Sequence, residues 1–340
     1  MACFKSQLLS SFAIAAVACV LSENAAAQMA EDTALSQTEI EDILVVSTAD
    51  KFGSGLTQAT FVLGAEDIET RPLGAEITQS LNQIPGVQVA TGDSRGGVFS
   101  FELYLRGLTD EQIGFSIDGV PTGDSRTQGG GPPNRFLDSS NIGRIIVSQS
   151  SGEIGAPTRF GLGGFMNFVS SNPAPEAGAT FEASAGSFDH RRLFIRADFG
   201  ELAPGLTGYA SFSDADTDVW AGGDRANSRQ HATIKILKQF DAGHSVALNA
   251  NWNNLDYNDF NIITQPLFEG NPDSDGAVGN FRGIPSLDNI NSLQPFGPAF
   301  GGFREDLFVY VNAEFVVSDS IVIDVNPYWH KGEGAIQAAR

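Results

Sequence analysis

The chain is 340 residues long and strongly acidic, with 20 Lys and Arg against 41 Asp and Glu and a formal net charge of −21. That balance excludes a nucleic-acid partner, whose binding is driven by cations neutralising phosphates, and reads instead as a solvated surface. Charged residues are 18% of the chain, below the roughly 25% of ordinary soluble domains, and Gly is abundant, which suits a Gly-rich β protein with part of its surface in lipid.

The first segment, residues 1–27, has the pattern of an export signal. Lys5 supplies the positive start, Leu8–Leu21 the apolar stretch and Ala25-Ala26-Ala27 the small-residue cleavage site before Gln28. The apolar run is too short for a membrane helix, which needs about 20 residues. Ala16-Val17-Ala18-Cys19 fits a lipidation site poorly, since the usual Leu at its head is missing and apolar residues continue past the cysteine. Both cysteines, Cys3 and Cys19, lie in this segment, so the mature chain has no disulfide framework and no thiolate chemistry.

Residues 28–54 read as a flexible tether. Gln28–Glu41 is polar and aperiodic, and Asp42-Ile43-Leu44-Val45-Val46-Ser47 is a β-branched run behind an acidic residue. An extended peptide of this kind can add as a strand to a partner's sheet edge; the alternative is a buried first strand of the next domain. Residues 55–175 read as mixed α and β. A strand is expected at Thr60–Leu63. A helical segment follows at Ala75–Gln83, with Ile77, Ser80, Leu81 and Ile84 on one face and Pro85-Gly86 ending it. Strands are expected at Val87–Ala90, Glu102–Leu105, Gly114–Ile117, Ile145–Ser148 and Gly164–Ser170.

From about residue 176 to 340 the apolar residues alternate with period two. Leu193, Ile195 and Ala197 alternate with Arg192, Arg196 and Asp198, and Val246, Leu248, Ala250 and Trp252 with Asn249, Asn251 and Asn253. About seven such strands of about ten residues each match a transmembrane barrel with apolar side to lipid and polar side to lumen, although a soluble sandwich also alternates. The connections discriminate. Every second one, at Glu201–Gly205, Asp241–Gly243 and Ser318–Asp319, is tight, while of the other three Ser187–His190 is short and Asp214–Gln230 and Asn258–Arg304 are long, as in barrels with short periplasmic turns and longer external loops.

Three motifs point to chemistry and fall short. Gly92-Asp93-Ser94-Arg95-Gly96 matches a nucleophile elbow, but strand-like residues follow where a helix is required. Asn271-x-Asp273-x-Asp275-Gly276 has Arg282 where a calcium loop needs Glu. Asp214-x-Asp216-x-Asp218 has Val219 where Gly belongs. No metal or other cofactor is expected.

A series of landmarks stands in order between residues 84 and 168: Ile84-Pro85-Gly86-Val87, Leu105-Arg106-Gly107-Leu108, Ile117-Asp118-Gly119-Val120-Pro121, Arg144-Ile145-Ile146-Val147 and Gly163-Gly164-Phe165-Met166-Asn167-Phe168. This series resembles the plug domain of TonB-dependent outer-membrane receptors. The resemblance implies a mixed α/β plug domain followed by an antiparallel transmembrane β-barrel. The family closes roughly 22 strands, so the chain is expected to be a fragment or a truncated product. Asp42–Ala49 then resembles the TonB box on a periplasmic tether, with Asp42–Ser47 as the residues that pair with TonB. Ligand-facing plug apices fall at Gly92–Gly97, Thr109–Gln112 and Thr122–Gly131, giving Arg95, Asp110, Glu111, Gln112, Arg126 and Gln128 as contact residues. Arg106 matches an arginine that locks plug to barrel, while the second arginine of that lock is replaced by Ser148. The resemblance further implies TonB and a small-molecule nutrient as partners, a place in outer-membrane lipid, and transport rather than catalysis. The first cargo expected is a ferric siderophore, then a carbohydrate or other organic nutrient, with a passive porin as the contrasting reading.

Overall fold

The computed structural model describes residues 59–64, 67–68, 76–91, 101–122, 133–149, 156–158, 161–218, 226–240, 243–258, 301–318 and 320–337. The export signal, Asp42–Ser47, Gly92–Gly96 and Asn271–Gly276 lie outside these residues.

In the first part of the chain the strands are β1 (Ala59–Leu63), β2 (Val87–Thr91), β3 (Phe101–Leu105), β4 (Leu108–Thr109), β5 (Ile113–Ile117), β6 (Val120–Pro121), β7 (Ile142–Gln149) and β8 (Gly164–Ser170). They form a five-stranded sheet in the order β1-β7-β8-β5-β6 and a three-stranded sheet β2-β3-β4. β5 and β8 run parallel, with Phe115 opposite Met166, and the other pairs are antiparallel. Two hairpins turn on residue pairs that both have positive φ, Arg106-Gly107 (53° and 82°) and Asp118-Gly119 (50° and 75°). This is the turn geometry whose twist matches that of the strands it joins.

The helical segment expected at Ala75–Gln83 is a 3-10 helix over Ile77–Gln83. Its leading residue, Glu76, does not cap it; the buried carboxylate is held by Ser139 instead. With three residues per turn, Thr78, Leu81 and Ile84 fall on one line, and all three are buried.

The second part is a single antiparallel sheet. Its strands are β9 (Ala177–Gly186), β10 (His190–Ala203), β11 (Leu206–Asp218), β12 (Ala226–Gln239), β13 (Ser245–Asn258), β14 (Gly301–Ser318), β15 (Ile321–Val325) and β16 (Tyr328–Gln337), ordered β15-β14-β13-β12-β11-β10-β9 with β16 also on β14. β15 and β16 are two halves of one path, broken at Asn326-Pro327 because proline has no N–H to give the ladder. The Pro327 carbonyl still accepts from Val311 N at 3.0 Å. The long connection expected at Asp214–Gln230 is shorter, since β11 runs to Asp218 and β12 starts at Ala226. Asp214, Asp216 and Asp218 thus lie on a strand rather than in a calcium loop. Among the described residues no cluster of metal-ligating side chains occurs.

The two faces of this sheet are inverted relative to a soluble protein. On β13, Leu248 is 45% exposed while Asn249 is 1% exposed. Across the sheet the exposed face carries Phe181, Leu193, Ile234 and Leu248, and the buried face carries Arg196, Ser211, Thr233, Lys235, Asn251 and Asn253. The apolar face is bounded by amphipathic contacts: Trp252 Nε1 donates to Glu305 Oε1 at 3.0 Å, and Lys238 Nζ stands 5.1 Å over the Phe240 ring. This is the pattern of a sheet with lipid on one side and a filled interior on the other. The fold is therefore the expected one, a plug domain followed by antiparallel barrel strands.

Candidate functional site at the plug and sheet interface

The polar face of the sheet is buried because the plug sits on it, and the contact has an apolar zone and an ionic one. In the apolar zone Phe308 and Tyr310 of β14 join the plug core of Leu103, Ile113, Ile117, Phe136, Val147 and Met166. Phe136 meets Phe308 at 5.2 Å and the edge of His330 at 5.0 Å between ring centres. Behind them, His330 Nε2 lies 3.1 Å from Asp306 Oδ1, and Arg304 Nε donates to Asp306 Oδ2 at 2.9 Å.

The ionic zone is built on a short turn of the plug, Asp138-Ser139-Ser140-Asn141. Asp138 caps it by accepting from Ser140 N at 2.9 Å. The same carboxylate reaches the sheet, accepting from Arg192 Nη2 at 2.7 Å and Ser213 Oγ at 2.7 Å. Arg192 also donates to Ser140 Oγ at 2.9 Å and Glu182 Oε2 at 3.1 Å. Beside it Ser139 Oγ donates to Glu76 Oε2 at 2.6 Å, and Glu76 Oε1 stands 3.7 Å from Arg229 Nη1. Asn141 Nδ2 donates to Ser211 Oγ at 2.8 Å. Burial works to raise the Asp138 carboxyl, but the guanidinium of Arg192, followed by that of Arg229, His231 and the Ser213 hydroxyl, holds it below the usual carboxylate range.

A second node joins the ends of β5 and β8 to the sheet. Asp118 accepts from Ser170 N at 2.8 Å, Ser170 Oγ at 2.6 Å and Tyr310 Oη at 2.8 Å, and its carbonyl accepts from Asn312 Nδ2 at 2.8 Å. Lys235 Nζ donates to Ser170 Oγ at 2.8 Å and approaches Asn172 Oδ1 at 3.3 Å. Arg196 donates to Asn172 O at 2.9 Å and to Asp198, while its guanidinium lies 3.8 Å over the Tyr209 ring. These contacts fix the segment through which the plug continues into the first sheet strand.

The residues singled out from sequence fall differently. Arg106 is exposed on its hairpin turn, and its Nε donates at 3.1 Å to Gln149 Oε1, a plug residue. The ion pairs joining plug and sheet have acids on the plug and arginines on the strands. Ser148, in the place of the second arginine, is buried. Asp110, Glu111 and Gln112 form a single 3-10 turn in which Gln112 Oε1 accepts from Thr109 N at 3.4 Å as part of a capping box. Glu111 is exposed. Arg95, Arg126 and Gln128 lie outside the described residues, as do the TonB-box residues.

Sequence reasoning missed Glu76 and Asp138. The available signal was on the other partner: Arg192, Arg229 and Lys235 occupy polar-face positions of their strands, and buried cations require counter-charges.

Comparison with known proteins agrees with this architecture. Residues 54–158 match the family described as TonB-dependent Receptor Plug Domain. No curated protein matches the sequence. Among solved structures the chain is similar to the siderophore receptor PiuA from Acinetobacter baumannii, with a TM-score of 0.59 and 16% identity over 85% of this chain and 39% of that one. It is also similar to the ferric yersiniabactin uptake receptor FyuA from Yersinia pestis, with a TM-score of 0.61 and 15% identity over 86% of this chain and 44% of that one. The ferric-catecholate import receptor Fiu from E. coli K12 gives a TM-score of 0.59 and 18% identity over 82% and 39%. At such identity the likeness is one of fold, and the chain spans about two-fifths of the length of these receptors. Residues 54–158 are thus matched as a TonB-dependent receptor plug domain, and the strands that follow share the fold of these receptors.

Proposed function

We propose that the receptor to which this chain belongs imports a large, scarce nutrient, in the first place a ferric siderophore, across the outer membrane with energy delivered by TonB. The observation that carries this reading is the inversion of the sheet: apolar side chains outward, and a separate folded domain fastened by buried ion pairs to the polar inner face. A passive porin needs an open aqueous lumen, and a domain held there by Asp138–Arg192 and Glu76–Arg229 has to be moved by external work. Siderophore as cargo is supported by the likeness to PiuA, FyuA and Fiu, a siderophore receptor, a ferric yersiniabactin uptake receptor and a ferric-catecholate import receptor. In this reading no bond is made or broken. Asp42–Ser47 pairs with TonB by strand addition, and Arg95, Asp110, Glu111, Gln112, Arg126 and Gln128 meet the cargo from the plug side.

Deleting Ile43–Val46 in the full-length receptor should abolish radioiron uptake from ferric siderophores while leaving their binding to the cell surface intact. Undiminished uptake by the deletion mutant would remove the TonB-box assignment.

A further inference from the structure

The inner face of β12 carries Arg229, His231, Thr233 and Lys235 in succession, all buried. Arg192 stands two strands away from Arg229 in the same cross-strand row, through Ala215, a separation of about 10 Å. Arg229 and Lys235 lie roughly 20 Å apart along the strand. The plug supplies groups that answer these cations: Glu76 at Arg229, which also donates to Asn253 on the next strand, Asp138 at Arg192, which also pairs with Glu182 on β9, and the Ser170 hydroxyl with Asn172 at Lys235. Arg196 and Arg304 differ from Arg229, since they pair with Asp198 and Asp306 on their own strands. Any displacement of the plug therefore removes Glu76 and Asp138 while the guanidinium groups remain on the wall.

Resting on the import reading, we propose that Arg229 and Lys235, flanked by Arg192, form an anion track on the barrel wall, and that the plug carboxylates hold its places until an anionic cargo takes them. A cation that has lost a plug carboxylate attracts an anion beside it and repels cations, which is how rings of Arg and Lys select anions in pores. The polarity of the interface then has a use beyond fastening. With acids on the moving part and arginines on the fixed part, opening presents positive charge to the cargo. The substrate class follows: ferric chelates of net negative charge, such as tricatecholates, in preference to cationic or neutral ones.

The test is energised radioiron uptake by the full-length receptor, offered separately as an anionic ferric tricatecholate and as a cationic ferric trihydroxamate. Wild type is compared with the swapped pair Glu76→Arg/Arg229→Glu and the neutral pair Glu76→Gln/Arg229→Gln. Both pairs leave the plug contact charge-balanced, so either one that reaches the outer membrane at normal abundance serves. The track predicts that wild type carries the anionic chelate better, and that each pair binds it normally at the surface but transports it about tenfold more slowly. A balanced pair that transports at the wild-type rate would show that Glu76 and Arg229 only fasten the plug, overturning the track while leaving import standing. Preferred uptake of the cationic chelate by wild type overturns it equally. A wild-type receptor that takes up neither chelate in an energy-dependent way overturns the siderophore-import reading, and the track with it.

Discussion

Asp138 does two jobs with one carboxylate, capping a turn of the plug and meeting Arg192 on the sheet. With Arg192 and Asp138 both buried, the pair's value lies less in its attraction than in the penalty of separating it. Removing one member of a buried pair costs about 3–5 kcal/mol. Asp138→Asn should lower the thermal stability of the detergent-solubilised receptor at neutral pH by that order. The pH dependence follows from the direction of the shift. A carboxylate held below its unfolded value contributes stability that is fully present above about pH 4, the unfolded value, and is lost as pH falls from there through the lower folded value. Wild type should therefore lose stability steeply below about pH 4, and Asp138→Asn should flatten that part of the curve. A melting series across acid pH checks both, and parallel curves for the two proteins would show that Asp138 is not the titrating group.

At the scale of elements, the sheet strands were legible in sequence because each has one face in an apolar medium and one against polar neighbours, which writes a period of two into the chain. Leu248 and Asn249 fall on opposite faces in the structure, as alternation requires. The extent of β11 was less legible. Asp214, Asp216 and Asp218 continue its outward face beyond Phe212 in acidic residues, and three acids in a row of alternating positions look like a loop. The plug's contacts were not legible from the plug side, since Asp138-Ser139-Ser140-Asn141 has only turn chemistry locally and its partners on β10 and β11 are more than fifty residues away. The apolar band itself is testable. Leu248→Arg should destabilise the barrel by about 2–4 kcal/mol, as a lipid-facing charge does near mid-membrane. Asn254→Arg, exposed on the same face beyond the band and opposite Glu305, should cost little. Asn249→Arg is no milder than Leu248→Arg, because that inner-face position is buried. Heat-modified gel mobility reads the difference, and equal effects at 248 and 254 would place the band elsewhere.

For the whole receptor, fastening the plug and touching cargo should be separable properties. Asp118 belongs to fastening: it holds Ser170 twice, Tyr310 once through its hydroxyl, and Asn312 through its own carbonyl, so it ties two plug strands to β14 from a backbone position at φ 50°. Alanine at 118 keeps that φ, for which a side chain without hydrogen-bonding oxygens is poorly suited, and strands the Ser170 and Tyr310 donors. Arg126 and Gln128 stand for the other property, on the segment that the family resemblance turns toward the cargo, just beyond the hairpin that Asp118 begins. Asp118→Ala should lower the abundance of the full-length receptor in the outer membrane, whereas Arg126→Ala with Gln128→Ala should leave abundance unchanged and weaken cargo binding. Membrane blots and titration of the transported ferric chelate onto each purified variant make the comparison. Unchanged affinity in the double variant would take the 122–131 segment out of the binding site, and normal abundance of Asp118→Ala would mean that the apolar contact of Phe308 and Tyr310 with the plug core suffices to hold the plug in place.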